Sequence, residues 1–143
     1  MRRVAEALEC VMTNLKRLLP GLDHPITIEP TGSRVVVTLD GHVVAESTDA
    51  LTLREASYPP VQYVPLADVD AEALRPSDHT SWCPYKGTAS YFSLQVGDTV
   101  ADAVMWTYEA PHDAVAPIKG HVAFYPDRVD AIAVAAAEVP GAH

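Results

Sequence analysis

Short runs of β-branched or alternating residues, each closed by a turn signal, dominate the chain after residue 24 and leave few folds open to it. Residues 26–29 and 34–39 read as strands, and Asp40-Gly41 is a strong two-residue hairpin turn into 42–46. Residues 51–54 form a further strand candidate that ends at Glu55. Tyr58-Pro59-Pro60 then turns the chain into 61–64, which Pro65 stops. Residues 68–74 are expected as a helical turn with Asp68 as N-cap, followed by a loop at Arg75-Pro76-Ser77-Asp78. Alternation from Gly87 to Val96 puts Ser90, Phe92, Leu94 and Val96 on one face, with Ala89, Tyr91, Ser93 and Gln95 on the other. Gly97-Asp98 leads into a strand over 99–108, a proline-containing loop fills 111–117, and a last strand covers 121–125. Turns about every 8–12 residues imply a mainly β fold, a curved sheet or two packed antiparallel sheets.

The two ends read differently. Residues 2–19 are expected to form an amphipathic helix, because Val4, Leu8, Val11, Leu15 and Leu18 recur at helical spacing. Lys16 and Arg17 suit its C-terminal dipole, and Pro20-Gly21 ends it. Its apolar stripe is expected to pack on the β body or on a second copy, a homodimer being one assembly this allows, with a membrane-surface or partner-binding helix as the alternative. The Ala-rich tail, 131–143, reads as a short helix. The expected organisation is therefore a helix over 1–23, a β domain over 24–130 and a tail over 131–143.

A net charge of -9 argues against a phosphate-tracking surface, so no nucleic-acid partner is expected. No apolar run approaches the roughly 18 residues that cross a membrane. Arg2 and Arg3 are followed by Glu6 and Glu9, which is a poor export signal. Cys10 and Cys83 do not make a disulfide framework, and a reducing cytoplasm is the expected location. The preference for Arg over Lys, with abundant Ala, Val, Asp and Pro, suggests a GC-rich bacterial source.

Chemistry concentrates in Asp78-His79-Thr80-Ser81-Trp82-Cys83-Pro84-Tyr85-Lys86-Gly87. Polar runs of this kind collect in loops between rigid strands, and Gly87 lets the backbone approach a ligand closely. Lys86 is a candidate anion binder or amine nucleophile. Cys83 is a candidate thiolate if His79 or Lys86 lies beside it, and otherwise a buried inert thiol. His79 is a candidate acid or base, or a loop pair with Asp78. Arg54 and Glu55 form a second concentration at a strand end, where Glu55 is a general base or a structural ion-pair partner. Trp106-Thr107-Tyr108 is a third, suited to stacking on a planar ligand or to the edge of a core. No glycine-rich phosphate loop, dinucleotide fingerprint or Cys-x-x-Cys pair is present, so neither a cofactor nor a metal is expected.

The run from Asp78 to Tyr91, centred on Cys83-Pro84-Tyr85-Lys86-Gly87-Thr88-Ala89-Ser90-Tyr91, resembles the bacterial family known as domain of unknown function 427. So do His24-Pro25-Ile26, Leu53-Arg54-Glu55, Tyr63-Val64-Pro65, Trp106-Thr107-Tyr108 and Val122-Ala123-Phe124-Tyr125-Pro126, in order over about residues 24–130. The resemblance implies a tent-like pair of curved antiparallel sheets, similar to methionine sulfoxide reductase B and to several zinc-binding domains. Those relatives hold zinc through Cys-x-x-Cys knuckles, which this sequence lacks, so metal dependence does not carry over. Nor does a nucleotidyltransferase activity, since no paired carboxylates follow a Gly-Ser turn. The N-terminal helix lies outside the family pattern.

Two functions follow as expectations. One is a metal-independent small-molecule enzyme using acid–base or lysine chemistry through Lys86 and Glu55, with Cys83 and His79 as further catalytic candidates. Arg54, Tyr63, Tyr85, Ser90, Tyr91, Trp106 and Tyr108 are its expected ligand contacts. The other is a non-catalytic binding module that docks or dimerises through the N-terminal helix.

Overall fold

A computed structural model of the protein describes residues 18–135. The strands are β1 (Ile26–Pro30), β2 (Val35–Leu39), β3 (His42–Ser47), β4 (Leu51–Glu55), β5 (Val61–Pro65), β6 (Leu74–Cys83), β7 (Gly87–Val96), β8 (Thr99–Thr107), β9 (His121–Phe124) and β10 (Ala131–Val134). They form a seven-stranded sheet in the order β1-β4-β5-β9-β8-β7-β6 and a three-stranded sheet in the order β10-β2-β3. The paired strands are antiparallel in both. The protein is mainly β.

Period-two alternation decides what each face of the large sheet does. Val64, Leu94, Val122 and Phe124 join Val35, Val37 and Val44 of the small sheet in one buried cluster. Tyr63 and Ala123 beside them, and Tyr91 three residues before Leu94, point the other way into a second cluster with Leu53 and Tyr108. Val115 and Ile118, both fully buried, cap that second cluster from a 3-10 segment over Asp113–Ile118. Opposite Ser93 the register of β8 shifts, so that Phe92 faces Met105 while Leu94 faces Ala101. Ala103 takes φ 48° there, and its N–H donates to Ser93 Oγ at 2.8 Å. The bulge sends both Val104 and Met105 into the main core.

Several local expectations change. Arg75–Asp78, expected as a loop, lies inside β6, whose position at the sheet edge tolerates Pro76. The register shift between Pro76 and Thr80 absorbs the polar residues there. The helical turn expected at 68–74 is instead a 3-10 turn over Leu66–Asp68, and Asp68 ends it rather than capping it. The loop expected over 111–117 contains the 3-10 segment at Asp113–Ile118. In the tail, residues 131–134 are strand and not helix: they pair with β2, and Ile132 packs on the main core. Tertiary pairing overrides the helical preference of alanine here. The rest of the tail and residues 1–17 of the expected N-terminal helix lie outside the described residues, as does Cys10. Leu18 and Leu19 are irregular chain, and the Leu18 N–H donates to the Pro84 carbonyl at 2.9 Å.

Leu94 is fully buried where the two sheets meet. Leu94→Ala should cost about 3 kcal/mol, read as a lower urea midpoint with an unchanged slope.

Candidate functional site

The second face of the large sheet carries the candidate site, and its geometry starts from backbone register. Glu55 ends β4 opposite Ile26 of β1, so the residues just before β1 lie beside its carboxylate. The chain enters through a tight turn in which Gly21 and His24 exchange backbone hydrogen bonds. Past Glu55, Ala56 takes φ 47° and its N–H donates to the Pro25 carbonyl at 2.8 Å, which fixes the strand end. Lys86 closes the turn between β6 and β7, its N–H donating to the Cys83 carbonyl and its own carbonyl accepting from His112 N–H. Gly87 follows at φ 114°, where a Cβ would lie 3.3 Å from the His112 ring and 3.4 Å from the Ala110 carbonyl oxygen. Only glycine fits that conformation and that gap without strain.

These supports bring three ionisable side chains together. Lys86 Nζ donates to Glu55 Oε1 at 2.6 Å, and His24 Nε2 donates to Glu55 Oε2 at 2.6 Å. Lys86 Nζ also lies 3.5 Å from Cys83 Sγ. Tyr85 stacks flat on His24, with ring centroids 3.9 Å apart at 5°, while Tyr58 meets the same imidazole edge-on. Burial acts to raise the Glu55 carboxyl, but the hydrogen bonds and charges of Lys86 and His24 outweigh it and hold the group below its ordinary value of 4.5. The Lys86 side chain itself is buried.

Beside this triad opens a cleft of about 300 Å³. Its aromatic walls are Tyr58, Tyr63, Tyr91, Trp106, Tyr108 and Tyr125. Leu53, Pro59 and Val61 add apolar surface, and Glu55 and Lys86 supply the charged groups. Trp106 Nε1 donates to Tyr63 Oη at 3.1 Å, holding the two rings perpendicular. A hydroxyl chain runs Ser81–Tyr91–Tyr125 with spacings of 3.0 and 3.2 Å. Burial pushes the Tyr63 and Tyr108 phenols well above their usual range. Tyr125 is pushed up to about 12, first by its hydrogen bond with Tyr91 and then by burial. All three therefore stay protonated at neutral pH. Among the described residues no group of three or more His, Cys, Asp or Glu is placed to hold a metal ion.

Of the candidates named from sequence, Lys86, Glu55, Tyr63, Tyr91, Trp106 and Tyr108 share this cleft. Cys83 and Tyr85 stand behind it, against Lys86 and His24. His79 is exposed on β6 with its ring against Tyr91, and among the described residues it makes no hydrogen bond or ion pair with Lys86 or Cys83. Ser90 faces a smaller hollow of about 250 Å³ on the other side of the hairpin, with Trp82 and His112. Arg54 is exposed because alternation turns it away from its neighbours Leu53 and Glu55. His24, Tyr58 and Tyr125 were not among the candidates. The β1–β4 register is the signal for His24, and it appears only once the strands are paired.

A family model described as a domain of unknown function (DUF427) matches residues 27–135. No curated protein matches the chain.

Two outcomes follow from the triad. Lys86→Met leaves the Glu55 charge half-buried and should cost about 2 kcal/mol or more, whereas the double variant Lys86→Met/Glu55→Gln removes both charges and should recover part of that loss in chemical denaturation. Folding lowers the Glu55 pKa, so below about pH 4.5 the unfolded chain binds more protons than the folded one. Its stabilising contribution is complete above that pH and disappears as pH falls through the folded value. Glu55→Gln should flatten stability against pH in that acidic window, as measured by thermal melts at a series of pH values.

Proposed function

The chain belongs to the family of domain of unknown function DUF427, and we propose that it is a small-molecule enzyme working by acid–base chemistry in its aromatic cleft. The supporting observation is the Lys86–Glu55–His24 triad set at the edge of that cleft. Lys86 is the fixed cation that polarises an oxygen of the ligand. Glu55 accepts the proton so released, while the His24 N–H on its second oxygen keeps the carboxylate oriented towards the ligand. The rings of Tyr63, Tyr91 and Trp106 hold the body of the ligand and keep water out. The tent-like pairing of the two sheets belongs to the same proposal, as the scaffold that keeps the cleft open over β4, β5, β7 and β8.

A second reading has one observation in its favour. A carboxyl held below its ordinary range is a weak base, which suits a protein that binds its ligand without transforming it. In that reading the same residues recognise the ligand and no proton moves.

Native mass spectrometry of the gently purified chain tests the cleft. A small organic adduct is expected on the wild type and should be missing from Lys86→Met/Glu55→Gln. An adduct kept by that variant, or bare protein in both, would overturn the proposal. Catalysis predicts that the eluted compound is converted by fresh protein, and simple binding that it is recovered unchanged.

A further inference from the structure

The polar groups of the cleft are unequally divided between donors and acceptors. Tyr63, Tyr108 and Lys86 are respectively 1%, 6% and 8% exposed, and all three line it. Tyr63 Oη accepts from Trp106 Nε1, and its own O–H finds no acceptor among the described residues. The Tyr108 hydroxyl has no hydrogen-bond partner among the described residues. An ammonium group has three N–H donors; those of Lys86 meet Glu55 and, more distantly, Cys83, which leaves one over.

The acceptors are more fully engaged than the donors. Each oxygen of Glu55 already takes a charged or ring N–H donor, from Lys86 and from His24. The hydroxyls of Ser81, Tyr91 and Tyr125 bond to one another. Three donors that face one hollow and find no further acceptor among the described residues favour a ligand that brings oxygen lone pairs. The phenols cannot supply acceptance by ionising, because burial holds both Tyr63 and Tyr108 protonated.

Charge narrows the class further. The Lys86 cation is already balanced by Glu55, and the chain carries a net charge of -9. A ligand arriving as an anion would meet the Glu55 carboxylate beside its partner. A neutral carbonyl oxygen takes the same donors without that repulsion, and develops negative charge only as Glu55 removes a neighbouring proton. Flat rings on the walls and a volume of about 300 Å³ fit a planar body of one or two fused rings.

Resting on the proposed function, we infer that the substrate class is a small, neutral, planar carbonyl compound, whose oxygen takes the donors of Tyr108 and Lys86 with its two lone pairs, beside the Tyr63 hydroxyl. The cleft is selective for an acceptor and rejects a cation of the same shape.

Three compounds of one shape test this on the full chain, with binding followed by tryptophan fluorescence: 1-indanone, indane and 1-aminoindane. The ketone should bind about tenfold more tightly than indane, and the protonated amine should bind more weakly still. Tyr108→Phe removes one donor and keeps the ring, so it should weaken 1-indanone about tenfold while leaving indane unchanged. If indane or the amine binds as well as the ketone, or Tyr108→Phe leaves the ketone's affinity intact, the donor-set inference fails while the cleft survives as a ligand site. If none of the three binds, the proposed function fails with it.

Discussion

Lys86 and Glu55 come from distant parts of the second sheet face, 31 residues apart in sequence, and their 2.6 Å ion pair, beside the His24–Tyr85 stack, ties those parts together. Either charge alone would be expensive in so enclosed a place, where Lys86 is 8% exposed. Together, with His24 on the second carboxylate oxygen, they form a site whose charges answer one another. The backbone is arranged for this pair. Gly87 adopts a conformation open to glycine and packs against His112, and Ala56 accepts a positive φ to anchor the end of β4 to Pro25. A buried ion pair is weak evidence of stability in its own right.

The fold divides its labour by alternation. Val64 and Val122 face the small sheet and the main core, while Tyr63 and Ala123 beside them face the site. The same strands therefore supply both the main core and the cleft walls, which inherit the rigidity of a sheet. Register shifts at Pro76–Thr80 and Phe92–Leu94 let the long strands β6, β7 and β8 bend without losing their pairing. His79 shows the limit of reading chemistry from proximity in sequence: four residues from Cys83 on the same edge strand, it packs its ring on Tyr91 instead.

Much of this was legible in the sequence because it depends on local rules. The Asp40-Gly41 hairpin joins β2 to β3, and the alternation over Gly87–Val96 sets Tyr91 opposite in face to Leu94. Glu55 at a strand end and Lys86 before a glycine stood out by residue type and setting. What stayed hidden depends on pairing between distant segments. His24 reaches Glu55 only through the β1–β4 register. Ala131–Val134 reads as helix by composition and becomes a strand because β2 offers an edge. Arg54 looked like a partner of the site until the pleat turned it outward.

The central claim is that Lys86 and His24 hold Glu55 as a carboxylate at the edge of an aromatic cleft. A carbon-13 NMR titration of the Glu55 side-chain carboxyl measures this directly. The midpoint should fall below 4.5 in the wild type and rise when Lys86 is replaced by methionine. A midpoint at or above 4.5, unmoved by that replacement, would contradict the account.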